Sequence, residues 1–318
     1  MFAEPRLISL SQNRTLAVDE YGDANGEPVI YCHGWPSSRM QASGADAASR
    51  ELGLRLISPD RPGIGLSSFQ KNRRLLDWPP MLAEMLDKIG VEKFRIFGVS
   101  GGGPYALAAA WALPERVKAA TIVCGAPPLF SPPKNRAAAM KTGNANGADD
   151  LKNLLFVYRW MLGVYRKNPR VIRALFRAAR PLVTLKPPLW MWPWILRVLP
   201  MSDAGALRDA AVFEGSFLNY RESWRGSALG VVADAEIYAA DWGFRPEEIR
   251  VPVRLWHGKD DRNFSWKLAE SLARRIPNCA SFFLENEGHY SLPIRRYAEI
   301  LRDLKECVAA RRAATISK

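Results

Sequence analysis

The order of short apolar segments along the chain is the feature that most limits its possible folds. Segments with the residue types of buried strands alternate with helix-like segments over the first 124 residues. The predicted strands in this part are residues 28–33, 54–58, 93–99 and 117–124. Because parallel strands need a long crossover between them, this order predicts an α/β fold with a mostly parallel central sheet flanked by helices.

The alternation is interrupted once and then resumes. After the Gly-Ala-Pro-Pro segment at 125–128, roughly a hundred residues have helical patterns and no convincing strand. Strand patterns return at 251–257 and 280–284, each followed by a helical pattern. We therefore predict one core domain built from residues 1–126 and 229–318, with an inserted helical cap at 127–228 whose limits are placed to within about ten residues.

The positive charge of the chain is concentrated in the predicted cap. The net charge is +13, and residues 151–200 contain ten Lys or Arg and no Asp or Glu, which leaves about three net positive charges for the rest. No nucleic-acid recognition motif accompanies this charge, so nucleic-acid binding is not expected. The excess therefore concerns one surface of the molecule rather than its fold.

Several patterns bear on the compartment. The N-terminal residues lack an apolar stretch of signal-peptide length, and the longest uncharged apolar run, 187–196, covers about half of the roughly 20 residues that span a bilayer. The cysteines do not have the paired spacing of a zinc site or a compact disulfide framework: Cys32, Cys124, Cys279 and Cys307. These patterns predict a soluble, cytoplasmic protein, although spacing alone does not exclude a disulfide.

A G-x-S-x-G motif supplies a candidate nucleophile. Residues 98–102 read Gly-Val-Ser-Gly-Gly and lie between a predicted strand and a predicted helix. In a sharp strand-to-helix turn the serine is raised clear of the sheet, and small flanking residues let the chains approach closely. The alternative is a Gly-rich turn that merely opens a helix, so Ser100 needs a histidine to support the catalytic interpretation.

The chain contains three histidines. His33 and His257 each lie at a strand end beside glycine, as turn histidines do, whereas His289 lies in the loop between the last predicted strand and the last helix. His289 is therefore the candidate general base. An orienting carboxylate should lie between the serine and the histidine in this chain order, where Asp260 and Asp261 both follow a strand.

Five motifs together resemble the α/β-hydrolase superfamily. They are H-G-W-P at 33–36, D-R-P-G-I-G-L-S at 60–67, G-V-S-G-G at 98–102, G-K-D-D at 258–261 and G-H at 288–289. The resemblance implies the α/β-hydrolase fold and favours Asp261, because G-x-x-D is the family's usual spacing for the acid. It also implies an oxyanion hole formed by the backbone N–H groups of Trp35 and Gly101, and no metal or cofactor. The loop at 60–67 lacks the features of a phosphate-binding loop and is interpreted as a turn that braces the site.

The expected activity is hydrolysis of an apolar small-molecule ester through an acyl-enzyme, with Ser100 as nucleophile, His289 as base and Asp261 as acid. Similar epoxide hydrolases and haloalkane dehalogenases use aspartate as nucleophile, so Ser100 argues against those activities. Carbon–carbon bond hydrolases, iminopeptidases, lipases and perhydrolases remain alternatives. A ligand-binding or signalling protein on the same scaffold is an alternative of another class, and the oligomeric state is not predicted.

The predicted cap is rich in tryptophan, which suggests an apolar pocket, although packing between cap helices would account for most of these side chains. The residues are Trp160, Trp190, Trp192, Trp194 and Trp224. Aromatic residues beside basic ones also suggest weak contact of 151–200 with an anionic membrane surface. The alternative there is a solvated basic face above a buried cap helix.

Overall fold

A computed structural model describes residues 4–129, 154–187 and 191–307, apart from the side chain of Ile195. Its described strands form one eight-stranded sheet in the order β1-β2-β4-β3-β5-β6-β7-β8. The strands are β1 (Arg6–Leu10), β2 (Arg14–Gly22), β3 (Glu27–Cys32), β4 (Leu54–Pro59), β5 (Phe94–Val99), β6 (Val117–Val123), β7 (Val253–Gly258) and β8 (Cys279–Leu284). Strand β2 runs antiparallel to β1 and β4, and the pairs from β4 through β8 are parallel. The predicted, mostly parallel sheet is confirmed.

Helices cover both faces of the sheet. They are α1 (Asp46–Glu51), α2 (Trp78–Lys88), α3 (Gly102–Ala112), α10 (Trp266–Arg275) and α11 (Ser291–Glu306). Helices α2, α3 and α10 pack against one face of the sheet and form an apolar cluster with strand residues such as Ile96. Helix α11 packs against the other face, in a second cluster that includes Phe97. Because consecutive strand residues point to opposite faces, a strand buried on both sides is mostly apolar, as β5 is apart from Arg95, which pairs with Glu27.

The antiparallel hairpin of β1 and β2 was not predicted. Strand β1 buries only Ile8 and Leu10, and its other side chains are exposed. A short edge strand with one buried face gives a weak pattern, whereas the central parallel strands are recognisable as continuous apolar runs.

Between β6 and β7 the described chain is helical. The helices are α4 (Phe156–Lys167), α5 (Pro169–Val183), α6 (Trp192–Arg197), α7 (Met201–Ala206), α8 (Ala210–Ser223) and α9 (Leu229–Tyr238). We call residues 154–187 and 191–238 the helical insertion. Its limits as a cap at 127–228 stay a prediction, since residues 130–153 and 188–190, including Trp190, lie outside the described residues. Among the described helices, none combines the length and the apolarity needed to cross a bilayer.

Candidate active site

Ser100 occupies the turn between β5 and α3 in a strained backbone conformation, with φ at 51°. L-residues adopt this left-handed region at a cost, which the close packing around the turn must offset. A Cβ at Gly102 would lie 1.9 Å from the carbonyl oxygen of Cys32, so only glycine lets helix α3 approach strand β3 this closely. The turn therefore presents the Ser100 hydroxyl above the carboxyl end of the sheet.

Three side chains from three separate strand ends meet at this point. The Nε2 atom of His289 lies 2.9 Å from the Oγ atom of Ser100, and its Nδ1 atom lies 2.8 Å from the Oδ2 atom of Asp261. All three residues are buried. A serine, a histidine and a carboxylate hydrogen-bonded in this order can activate the serine oxygen as a nucleophile.

The electrostatics of the group suit a proton relay. Burial by itself lowers the pKa of His289, but the Asp261 carboxylate outweighs it and raises that pKa above the ordinary histidine value. Burial likewise opposes ionisation of Asp261, yet His289 and His257 hold the pKa of that carboxyl well below its usual range. Asp261 therefore stays ionised and stabilises a protonated imidazole at His289.

The structure separates the two candidate acids. The Oδ1 atom of Asp261 accepts hydrogen bonds from the backbone N–H groups of Asn263 at 2.7 Å and Phe264 at 3.0 Å. These bonds orient the other carboxylate oxygen, Oδ2, toward His289. Asp260 is exposed, and its backbone N–H donates to the carbonyl of Glu287. Of the two, Asp261 is the one that contacts His289.

The other two histidines differ in their relation to the site. His33 is buried within its own turn, with Nδ1 3.0 Å from the carbonyl oxygen of Gly34. His257 also bonds a turn carbonyl, that of Phe264 at 2.9 Å, but its Nε2 atom lies 3.3 Å from the Oδ2 atom of Asp261 as well. Sequence reasoning missed this second contact, which only the fold of the turn after β7 creates.

The segments predicted to supply the oxyanion hole lie side by side. A Cβ built on Gly101 would lie 2.8 Å from the Cβ of Trp35, and one built on Gly34 would lie 3.4 Å from the Cβ of Ser100. The Trp35 indole donates to the carbonyl of Val231 in the helical insertion at 2.8 Å. The placement is compatible with donors from Trp35 and Gly101, and their role stays a prediction.

A buried ionic network that the sequence did not reveal supports the loop carrying Trp35. Arg61 donates to the carbonyl oxygens of His33 at 2.5 Å and Gly34 at 2.7 Å, while its other side faces Asp234 of helix α9 at 2.8 Å. Asp234 also pairs with Arg73. The two guanidinium groups hold the pKa of Asp234 well below its usual range although burial opposes this. The 60–67 loop thus braces the loop at 33–36 through Arg61.

A cavity that opens to solvent lies beside Ser100. The described residues outside the insertion, 4–129 and 239–307, which we call the sheet half, supply half of its lining residues, such as Trp35 and Phe264. The insertion supplies the other half. The insertion residues that line it include Leu154, Tyr158, Met161, Leu162, Tyr165 and Ile172. Among the described lining residues none is charged, so the cavity suits an apolar group next to a polar bond at Ser100.

The tryptophans that the sequence suggested for a pocket lie elsewhere, as far as the structure describes them. Trp192 packs on Phe213 with ring centroids 3.9 Å apart, and Trp224 stacks on Phe176 at 5.9 Å. Trp160 and Trp194 are exposed on the surface. Packing between helices, the alternative stated above, explains the first two, and tyrosines and aliphatic residues line the cavity in their place.

Cys124, Asp261 and His289 place one potential ligand atom each within 4.8 Å of one another. The Cys124 thiol is buried and donates to the carbonyl oxygen of Gly288 at 3.6 Å. The Asp261 and His289 atoms that face each other already share a hydrogen bond. The donor set therefore fits a hydrogen-bonded relay better than a metal site.

Comparisons with known proteins agree with this fold. Residues 27–294 match the family model of the alpha/beta hydrolase fold. The chain is 31% identical over 97 residues to the uncharacterized hydrolase YcgS of Bacillus subtilis, a match that covers 30% of this chain and 34% of that protein. It is 28% identical over 117 residues to haloalkane dehalogenase 2 of Mycobacterium tuberculosis, a match that covers 36% of this chain and 40% of that protein. The chain thus spans well under half of the length of these curated relatives.

A likeness to solved structures covers almost the whole chain. The bromoperoxidase of Bacillus anthracis superposes with a TM-score of 0.67 at 17% identity, covering 95% of this chain and 100% of that one. At this identity the likeness concerns the fold alone. The family match over residues 27–294 and the sheet order together establish that this chain belongs to the α/β-hydrolase family.

Proposed function

We propose that the protein is a cofactor-independent serine esterase that hydrolyses an apolar small-molecule ester through an acyl-enzyme. The observation that carries this proposal is the hydrogen-bonded series Ser100, His289 and Asp261 at the base of an uncharged cavity. Family membership supports an enzyme that performs hydrolysis, and the nucleophile and the cavity support the finer assignment.

The first half of the reaction forms the acyl-enzyme. The Oγ atom of Ser100 attacks the ester carbonyl while its proton passes to Nε2 of His289, and Asp261 stabilises the resulting imidazolium. Backbone N–H groups of Trp35 and Gly101 would hold the developing oxyanion, and two such donors typically contribute a few kcal/mol each. The leaving alcohol then takes the proton from His289.

The second half releases the acid. Water donates a proton to Nε2 of His289 as its oxygen attacks the acyl carbonyl, and collapse of the tetrahedral intermediate returns the proton to Ser100. His289 is neutral and Asp261 is ionised at the start and at the end of each turnover. Apart from the ester and water, each step uses groups of this chain.

The cavity also bears on the alternatives within the family. An iminopeptidase binds the charged amine of a peptide, which calls for an acidic partner, and the described lining residues include no Asp or Glu. This favours a substrate without a cationic group near the scissile bond. The cysteines are unpaired in the structure, which fits a reducing compartment, and a cytoplasmic location is part of the proposal.

The proposal is tested by hydrolysis of p-nitrophenyl esters of increasing acyl length by the parent, by Ser100→Ala and by a matched Ser58→Ala. Ser58 is buried in β4 with an unpaired hydroxyl, so its removal should not disturb the site. We expect turnover by the parent and by Ser58→Ala, and a loss of at least about a thousandfold in Ser100→Ala. Saturable ligand binding without multiple turnover, or activity that survives in Ser100→Ala, would contradict the proposal.

A further inference from the structure

A carboxylate of the helical insertion binds the backbone next to His289. Asp203 lies in helix α7 and is 2% exposed. Its Oδ2 atom accepts from the backbone N–H of His289 at 3.1 Å, and its Oδ1 atom accepts from those of Tyr290 at 2.9 Å and Ser291 at 2.8 Å. One side chain from the insertion thus binds three consecutive N–H groups of the segment that carries the proposed base.

Helix α11 begins at this point without a cap of its own. Tyr290, its N-cap residue, makes no side-chain capping hydrogen bond. The first N–H groups of a helix have no partner inside the helix, and a nearby acceptor normally satisfies them. Asp203 supplies this acceptor, although it lies 87 residues before Tyr290 in the sequence.

The neighbouring residues leave room for this contact and hold the two helices together. A Cβ at Gly288 would lie 2.4 Å from Oδ1 of Asp203, so a side chain there would displace the carboxylate. Arg295 of helix α11 donates to the carbonyl of Ser202 at 3.1 Å, and a Cβ at Gly205 would lie 2.9 Å from the same guanidinium group. Helix α7 is therefore docked on the first turns of α11.

We propose that Asp203 is a positioning residue of the insertion that fixes the main chain at His289 and so sets the imidazole against Ser100. This inference rests on the proposed function, because it concerns the same site. Errors in the placement of a reacting group of about 1 Å reduce rates by up to about a hundredfold. The insertion, which lines the cavity, would then also hold the base in place.

Asp203 acts on His289 through charge as well as through geometry. The titratable groups that face His289 are Asp203, Asp261, the Cys124 thiol and the Tyr290 phenol, with His257 behind Asp261. Both carboxylates raise the pKa of His289. Removing one of them lowers that pKa, so the acid limb of the rate profile moves to lower pH.

The test compares Asp203→Asn with Asp209→Asn. Asp209 caps helix α8 in the same insertion by accepting from Ala211 and Val212, and it is exposed. In Asp203→Asn we expect kcat to fall about tenfold with KM within about twofold of the parent, and the acid limb of kcat to move to lower pH. Asp209→Asn should match the parent in all three measurements. Equal behaviour of the two variants would overturn the proposal.

A second readout does not depend on ester turnover. The rate at which a fluorophosphonate labels Ser100 reports the reactivity of the serine, and an NMR titration of the three histidines reports the pKa of His289. Labelling about tenfold slower in Asp203→Asn than in Asp209→Asn, with a lower His289 pKa, supports the inference even if no ester is turned over. A parent that labels but does not turn over esters contradicts the esterase assignment alone.

Gly288→Ala disturbs the same contact without changing Asp203, and it replaces Asp203→Asn in the test if that variant fails to fold. Its methyl group should displace the carboxylate and reproduce the loss in labelling rate. In the double variant the combined loss should be clearly smaller than the product of the two single losses, since both remove one contact. Losses that multiply, or a Gly288→Ala protein as reactive as the parent, would refute the role of Asp203.

Discussion

The sheet half and the helical insertion differ in what they bury and in the charge they carry. The sheet half buries its central strands on both faces and exposes few large apolar side chains, among them Leu7 and Leu66. The insertion exposes many: Phe156, Val157, Trp160, Val171, Leu175, Leu182, Leu185, Met191, Trp194, Val198 and Met201. Residues 151–200 also carry ten of the net thirteen positive charges.

This difference separates two tasks within one chain. The hydrogen-bonded side chains of Ser100, His289 and Asp261 all come from the sheet half, whereas half of the residues that line the cavity come from the insertion. Two buried carboxylates of the insertion bind loops of the sheet half: Asp203 accepts from the backbone at His289, and Asp234 pairs with Arg61. Changes in the sheet half should therefore alter kcat, as should a change at Asp203, whereas changes in the cavity lining or the exposed surface of the insertion should alter substrate choice or surface binding.

The largest expected effect lies in the sheet half. Asp261→Asn removes the charge that stabilises the imidazolium, so kcat should fall by about 10³- to 10⁴-fold with little change in KM. Asp260→Asn is the matched control, because its side chain is exposed one residue away. Steady-state kinetics on one ester measure both variants. An equal loss in Asp260→Asn would show that the site is assigned to the wrong carboxylate.

Asp234→Asn should weaken the junction between the two regions. It leaves the buried guanidinium groups of Arg61 and Arg73 without their anion, which costs about 3–5 kcal/mol in the free energy of unfolding near neutral pH. The folded-state pKa of Asp234 lies below its unfolded value, so this stabilisation is present above the ordinary aspartate pKa. It is lost as the pH falls toward the folded-state value.

Denaturant unfolding at about pH 7 and about pH 3.5 measures the difference in the free energy of unfolding between the parent and Asp234→Asn. This difference should be smaller at the lower pH. The control is Asp87→Asn, which breaks an exposed ion pair with Arg116 and should cost less than about 1 kcal/mol. If both variants lose the same stability, the network around Asp234 does not hold the two regions together.

Narrowing the cavity from the insertion side should change substrate choice and leave the chemistry intact. Met161 lines the cavity, and Met161→Trp should lower kcat/KM for long acyl chains relative to acetyl by about 10- to 100-fold. Met191→Trp places the same side chain on an exposed part of the insertion and should leave the acyl-length profile unchanged. A uniform drop across all chain lengths in Met161→Trp would contradict the division of tasks.

The smallest expected effect concerns the surface of the insertion. Its exposed apolar side chains and its positive charge predict weak binding to vesicles that contain anionic phosphatidylglycerol, a few-fold above binding to phosphatidylcholine at low salt. Leu182→Ser should reduce the sedimented fraction, whereas Leu7→Ser, also exposed but in the sheet half, should not. Absence of binding to anionic vesicles at low salt would contradict the prediction.

The residues that could be predicted from sequence are those whose role is set by local patterns. Ser100, His289 and Asp261 each lie in the segment that follows a strand, and a parallel sheet brings its strand ends together. Asp203 and Asp234 give no local signal, because their partners lie far away along the chain and only the folded insertion brings them close. The cavity lining escaped prediction for the same reason, since helix packing decides whether Tyr158 or Trp160 faces inward.

The uncharged cavity inside a positively charged insertion has a consequence for product release. In the proposed reaction an ester enters as a neutral molecule, but its hydrolysis leaves a carboxylate, and holding such an anion among apolar side chains without a partner costs several kcal/mol. The Lys and Arg residues of the insertion create an attractive potential outside. The proposed reaction would thus convert a ligand that binds well inside the cavity into one that is more stable outside it, which would limit inhibition by the acid product.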